Sequence, residues 1–373
     1  MITLLKNATI SEFFNKEIIM LEYKNLRPLI FKTDPEMAHH IIESACKCAP
    51  KIPALLPVLA KHYCVKDSIL SQEIDGMRFY NPVGLAAGFD KNATMIEALC
   101  ALGFSHLELG AVTPLAQKGN EKPRLWRHIN EESIQNAMGF NNEGISAVNT
   151  RLNQLFPFAI PLGVNIGKNK NTPQEEALRD YVNLARNLTQ TSDYLSVNIS
   201  SPNTPNLRDL QNEAFVKELF RALCEVYPKP IYLKIAPDLE MDSALSLVEA
   251  ALESGAKGII ATNTTLDYSL VAQPQSKGGI SGKVLAPKSR EMLKQIALLL
   301  RSKNQNATLF SVGGIADAKE AYTRIRLGAN CVQVFSALIF EGPSLVRKIN
   351  LGLKDFLERD GFNHISEAVG VDL

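Results

Sequence analysis

The plainest chemical capacity in this chain lies in VNISSPNTPNLRDLQ at 197–211. The stretch begins with the pattern of a strand and ends in two proline-fixed turns. Those prolines lock the backbone and hold Ser201, Asn203 and Thr204 rigidly. A fixed hydroxyl can serve as a nucleophile or as a general base. The nucleophile reading wants a His–Asp pair and a G-x-S-x-G elbow. The sequence has no such elbow and its six histidines lie elsewhere, so triad hydrolysis is disfavoured.

Three further signals accompany the serine. Asn136, Asn165, Asn198, Asn203 and Asn263 all fall at or near expected strand ends. Asparagine offers donors and an acceptor without charge, which suits a ring of alternating C=O and N–H groups such as a pyrimidine or an isoalloxazine. A lone Asn is usually a turn residue; five at converging positions ask for more. Lys234, in YLKIAPD, sits at a strand end among apolar residues and needs an anionic partner to stay charged. That partner is either a structural carboxylate or the anionic N1–C2=O edge of a reduced flavin. SVGGIADAKEA at 311–321 reads as strand, glycine pair and helix, a backbone that approaches a phosphate closely. Ser336 adds a donor, and GGISG at 278–282 supplies a third flexible backbone near the same face.

The elements that carry these residues repeat one pattern from Val83 onward. Expected strands are Val83–Phe89, His106–Gly110, Ile160–Gly167, Tyr194–Ser200, Pro230–Ala236, Gly258–Asn263, Thr308–Gly313 and Cys331–Ser336. Helical periods lie between them at Glu175–Leu188, Glu213–Val226, Ser243–Glu253, Lys288–Leu300 and Lys319–Leu327. Gly103, Gly255 and Gly328 each follow a helical run, where a C-cap is expected. Eight such units match a (β/α)₈ barrel of about 250 residues. A doubly wound sheet would carry a single Gly-rich fingerprint after its first strand. Polar and glycine residues instead close all eight strands, as a barrel with one functional face requires.

Residues 1–75 read as a small N-terminal helical extension and 76–373 as the barrel. Asp34-Pro35 is an N-cap followed by proline at the first helical position. Met37, Ala38, Ile41, Ile42, Ala45 and Cys46 follow at helical spacing, and IPALLPVLA at 52–60 suggests a second short helix. A third is expected from about 11 to 21. The extension is either a flap packed on the barrel or an apolar entrance on a membrane surface.

Composition excludes several classes. Apolar residues make up 46% of 373 and charged residues 21%, a globular balance. With 40 Lys+Arg against 39 Asp+Glu, the chain lacks the basic footprint of a nucleic-acid binder. Its six cysteines are scattered without a Cys-x-x-Cys pair, so neither a disulfide framework nor a metal site is expected. No uninterrupted apolar run reaches the ~18 residues of a membrane span, and Glu12 and Glu17 interrupt any signal peptide.

Long ordered stretches resemble the class 2, quinone-linked dihydroorotate dehydrogenases. They include NPVGLAAGFDKN (81–92), ELGAVTPLAQKGNEKPRLWR (108–127), NAMGFNNEG (136–144), GVNIGKNKNTP (163–173), VNISSPNTPNLRDLQ (197–211), KIAPDL (234–239), TNTTLD (262–267), GGISG (278–282), VGGI (312–315) and VQVFSALIF (332–340). The resemblance implies a barrel holding one FMN, with dihydroorotate against the flavin. It makes Ser201 the base that removes the substrate C5 proton, assisted by Thr204 and Phe140. Class 1 members carry cysteine there. It assigns substrate contacts to Lys91, Asn136, Met138, Gly139, Phe140, Asn198, Asn203, Asn263 and Thr264. It assigns flavin contacts to Ala87, Gly88, Lys91, Ala111, Asn165, Asn198, Lys234, Thr262, Gly282, Gly313, Gly314, Phe335 and Ser336. Ala111 stands where the family often has Thr, and Phe335 where it often has Tyr; each removes one possible side-chain contact. TDPEMAHHII (33–42) resembles the first helix of the family's quinone tunnel, with His39 and Arg127 at the quinone head. The implied reaction is oxidation of dihydroorotate to orotate, with a membrane quinone as acceptor. The implied setting is a monomer bound peripherally on the cytoplasmic side of the inner membrane. The alternatives are a fumarate- or NAD-linked enzyme of class 1 type and a non-catalytic FMN- or phosphate-binding barrel.

Overall fold

The structure, a computed structural model, describes residues 23–373; the helix expected over 11–21 lies outside them. Eight parallel strands close into a barrel: β1 (Val83–Leu85), β2 (Leu107–Val112), β3 (Leu162–Ile166), β4 (Tyr194–Asn198), β5 (Ile231–Ile235), β6 (Gly258–Ala261), β7 (Thr308–Val312) and β8 (Cys331–Val334). Each pairs with the next in sequence, and β8 closes on β1. Seven of the strands are shorter than their apolar runs suggest, because the last residues of those runs lie beyond the ladder at the site; β2 instead runs two residues past its expected end at Gly110. Asn198 ends β4, Lys234 is next to last in β5, and Asn263 lies two residues beyond β6 rather than within it. Outer helices at Ala177–Leu188, Glu213–Val226, Met241–Glu253, Ala286–Ser302 and Ala318–Arg326 lie within two residues of expectation. Gly103, Gly255 and Gly328 carry φ of +90°, +107° and +99°, as helix-terminating glycines do.

Alternation along the strands sorts their side chains. Outward residues such as Leu107, Leu109, Leu195, Val197 and Leu233 join the continuous core beneath the helices. Inward, Phe79, Tyr194, Tyr232, Ile260 and Phe310 fill the lower barrel. Tyr194 fits because its neighbour across the ladder is Gly163, where a Cβ would sit 2.0 Å from the ring. Above this apolar plug the inward residues turn polar: Glu108, Asn165, Ser196, Lys234 and Gln333, all buried.

Before the barrel come α1 (Tyr23–Ile30), α2 (Pro35–Cys48) and α3 (Leu55–Tyr63). Asp34 caps α2, accepting from the Met37 N–H at 2.9 Å, and Pro35 is the first helical residue. α2 is tied to the barrel by Glu36, whose carboxylate meets Arg124 at 2.7 and 3.3 Å. Two antiparallel pieces were not anticipated from the sequence. A hairpin, Gln72–Ile74 with Met77–Phe79, turns at Asp75-Gly76, so that the expected 75/76 division falls within its turn. It closes the lower barrel mouth, where the Tyr232 and Thr308 hydroxyls donate to Asp75 at 2.6 and 2.7 Å. A three-stranded sheet of Leu125–His128, Ser133–Asn136 and Gly279–Gly282 lies at the upper mouth. GGISG, expected as a flexible backbone, is therefore a hydrogen-bonded strand. Its glycines permit close packing: a Cβ on Gly279 would lie 2.0 Å from Thr264 Oγ1.

Candidate active site

One cavity of about 690 Å³ opens at the upper barrel mouth. Every candidate catalytic, substrate, flavin and quinone residue lines it except Thr204, which is buried but outside the cavity lining. Ser201 follows β4 and is 5% exposed; its Oγ accepts from the Asn203 N–H at 3.2 Å. No imidazole or carboxylate hydrogen-bonds to Ser201 among the described residues.

The asparagines form two linked sets. Asn165 Oδ1 accepts from Asn198 Nδ2 at 2.9 Å, and Asn198 Oδ1 accepts from Asn263 Nδ2 at 3.3 Å. On the opposite wall, Asn203 Nδ2 donates to Asn136 Oδ1 at 3.0 Å. Asn203 Oδ1, Thr204 Oγ1, Thr264 Oγ1 and Gln333 Oε1 are buried without a partner among the described residues. Asn203, Thr264 and Gln333 line the cavity, so a ligand can satisfy them. Met138, Gly139 and Phe140 continue the Asn136 wall; Phe140 holds φ of +53° and its ring packs on Gly167.

Lys91 follows β1 and donates to the Gly88 carbonyl at 2.6 Å. Burial pulls its ammonium down to about 8, against the opposing pull of Asp90, Glu36 and Glu43. Lys234 has a protein partner: Nζ lies 3.2 Å from Glu108 Oε1, in a pair shielded from solvent. The carboxylate alternative raised by the sequence is thus present, and the lysine still faces the cavity.

Two more walls complete the site. Gly313 and Gly314 follow β7 at φ of +114° and +77°, and Ser336 follows β8 with its Oγ 2.9 Å from Ser281 Oγ. Gly282 and Gly88 bring backbone to the same cavity; a Cβ on Gly88 would meet the Phe335 ring at 3.2 Å. Ala111 and Thr262 line it at the ends of β2 and β6. The same cavity runs on between α1, α2 and α3, past Ile30, Ile42, Leu55 and Leu59. His39 stands at that junction, edge-on to Phe89 at 5.1 Å. Burial lowers its imidazole to about 4, with a further push from the Lys91 charge. Arg127 donates to the Thr33 carbonyl at 2.8 Å and stacks 4.8 Å from the Phe31 ring.

Residues 69–357 match the protein family described as Dihydroorotate dehydrogenase. The chain belongs to the dihydroorotate dehydrogenase family. It is 52% identical over 353 residues to the dihydroorotate dehydrogenase (quinone) of Nitratiruptor sp., covering 95% of this chain and all of that one. It is likewise 52% identical to the Sulfurimonas denitrificans protein of that name, over 95% of this chain and 99% of the other. Among solved structures, the ligand-free DHODH of Eimeria tenella superposes with a TM-score of 0.83 at 32% identity, covering 91% of this chain and 99% of that one. The ferulenol complex from the same organism gives 0.80 at 31%, covering 95% and 99%.

Sequence reasoning missed three parts of this dihydroorotate dehydrogenase site. Glu108 and Gln333 underlie it, joined by a 2.9 Å hydrogen bond. Arg208 braces it: Nε donates to the Ser200 carbonyl and Nη2 to the Thr264 carbonyl, both at 3.0 Å, while Nη1 meets Asp238 at 2.9 Å. Alternation would have flagged Glu108, the polar member of Leu107-Glu108-Leu109 in a strand whose leucines face the helices. Arg208 gave no such signal, since loop partners are set only by the fold.

Proposed function

We propose that this chain oxidises (S)-dihydroorotate to orotate, the redox step of pyrimidine biosynthesis, with one bound FMN and a membrane quinone as final acceptor. The observation that carries the reading is the continuity of the cavity. Its floor and walls present Ser201, Lys91 and the asparagine sets, and its other end is the apolar passage between α1, α2 and α3. A fumarate- or NAD-linked enzyme has no use for that passage.

The residues present fit FMN. The turned backbone at Gly313-Gly314 and the Ser336 hydroxyl suit a phosphate. Gln333 Oε1 and the remaining lone pair of Asn165 Oδ1 suit the edges of a flavin ring, and Lys234 suits its anionic side. When bound, FMN supplies the two-electron acceptor for the hydride leaving substrate C6 and passes those electrons to the quinone.

The chain's own residues supply the rest. Lys91 pairs with the substrate carboxylate. Asn136 and Asn203 on one wall, and Asn198 and Asn263 on the other, read the ring's C=O and N–H groups. Met138, Gly139 and Thr264 close the pocket around it. Ser201 Oγ takes the proton from C5 as its own hydroxyl proton passes to water, and it is held in place by the Asn203 N–H and by the Arg208 brace on the preceding carbonyl. Thr204 and Phe140 assist Ser201. His39, neutral at physiological pH, and Arg127 form the polar head of the quinone passage. Residues 1–75 serve as the quinone and membrane segment and 76–373 as the catalytic barrel. The protein acts as a monomer held peripherally at the cytoplasmic face of the inner membrane.

Ser201→Ala tests the assignment. Rapid mixing with dihydroorotate should show flavin reduction slowed by about 10²–10⁴-fold, at unchanged FMN content. A rate near that of the unaltered protein would remove Ser201 as the base.

A further inference from the structure

Glu108 lies one layer below the cavity, fully buried and out of contact with it. Its neighbours Leu107 and Leu109 face the outer helices, which leaves the carboxylate pointing into the barrel. Three donors converge on it. Lys234 Nζ and Asn165 Nδ2 reach Oε1 at 3.2 and 2.9 Å, and Gln333 Nε2 reaches Oε2 at 2.9 Å. These three come from β5, β3 and β8, and all three line the cavity. An ionised carboxylate only accepts hydrogen bonds, so Glu108 dictates how each neighbour is turned. Asn165 must present its amine downward, which leaves Oδ1 for Asn198 and so orients the Asn165–Asn198–Asn263 set. Gln333 must do the same, which leaves its Oε1 as the unpartnered acceptor.

We propose that Glu108 is a positioning residue that sets the reduction potential of the flavin above it, by fixing Lys234 and cancelling much of its charge. The inference rests on the flavin reading of this site. Reduction adds negative charge to the flavin, and a nearby cation favours that form. An unopposed Lys234 would hold the reduced form tightly. The buried carboxylate offsets that pull, keeps the potential low and leaves the reduced cofactor a better donor to quinone.

Glu108→Gln keeps the shape and removes the charge. The potential is read on the flavin-loaded protein by anaerobic equilibration with a reference dye. The variant should favour reduced over oxidised flavin by about tenfold more than the unaltered protein, about 30 mV positive for a two-electron couple. A yellow variant with an unchanged or lower potential overturns the proposal, because a purely structural Glu108 would not move it upward. Should Glu108→Gln not fold, Glu108→Asp withdraws the charge from Lys234 without deleting it. Its shift should have the same sign and be about threefold in the same ratio, about 15 mV; no shift overturns the proposal. An unaltered protein that takes up no FMN would overturn the flavin reading and this inference with it, whereas an unshifted yellow variant overturns this inference alone.

Discussion

Lys91 is the most exposed to pH of the groups assigned to substrate. Burial has pulled its ammonium down to about 8 from a solution value near 10.4. Its charge is therefore present at neutral pH and lost as pH rises through 8. Orotate affinity, followed by the flavin spectrum, should be flat below about pH 7.5 and weaken by up to about tenfold per pH unit above 8. Affinity that held steady to pH 9.5 would take Lys91 away from the carboxylate. Ser201, Lys91, Lys234 and the asparagines were legible in the sequence because their types recur where strands end, and strand ends are visible as breaks in apolar runs. For Glu108, alternation gives only the inward direction; its role was hidden, because a charged residue inside a strand shows no partner until the barrel closes. Lys234 illustrates the same limit: the sequence required a counter-charge but could not choose between a cofactor and a carboxylate 126 positions away.

At the scale of elements, the three N-terminal helices carry the membrane side of the account. Leu29 of α1 and Met37 and Ile41 of α2 are 67%, 57% and 56% exposed, large apolar side chains on the two helices that line the passage with their other residues. None of the described helices is long and apolar enough to cross a membrane. Burying such side chains in a lipid surface is worth about 1.5–3 kcal/mol each. Leu29→Glu with Ile41→Glu should therefore lower binding to quinone-bearing vesicles by on the order of a hundredfold or more. Flavin reduction by dihydroorotate should stay unchanged in the same variant. Equal binding of both proteins to vesicles would separate these helices from the membrane. The long outer helices and the Asp34-Pro35 start of α2 were readable because their apolar spacing extends over three turns or more. The hairpin and the three-stranded sheet were not, since strands of three or four residues carry too few alternations to stand out. GGISG looked mobile from its glycines, but those glycines serve close packing against Thr264 and Ser133.

The whole molecule joins two chemistries through one cavity. The barrel brings polar strand ends to its upper face, and the helices ahead of it lay an apolar passage across that face. Glu36 and Arg124 fasten the two parts with a buried ion pair, so the passage holds its position over the site. The barrel itself was legible because eight strand–helix units all close on polar residues. The continuity of the cavity was not, because it depends on how α1 lies against the helix Ser336–Glu341 and how α2 and α3 lie against the helix Ile96–Ala101. Two half-reactions at one site is the claim that everything else serves, and an anaerobic titration tests it directly. The purified yellow protein is recorded in the visible range, dihydroorotate is added, and a ubiquinone analogue follows. Bleaching with dihydroorotate and recovery of colour with quinone, but not with fumarate or NAD⁺, is the expected result. A protein that stays yellow with dihydroorotate, or that bleaches and is reoxidised by fumarate as readily as by quinone, would contradict the account.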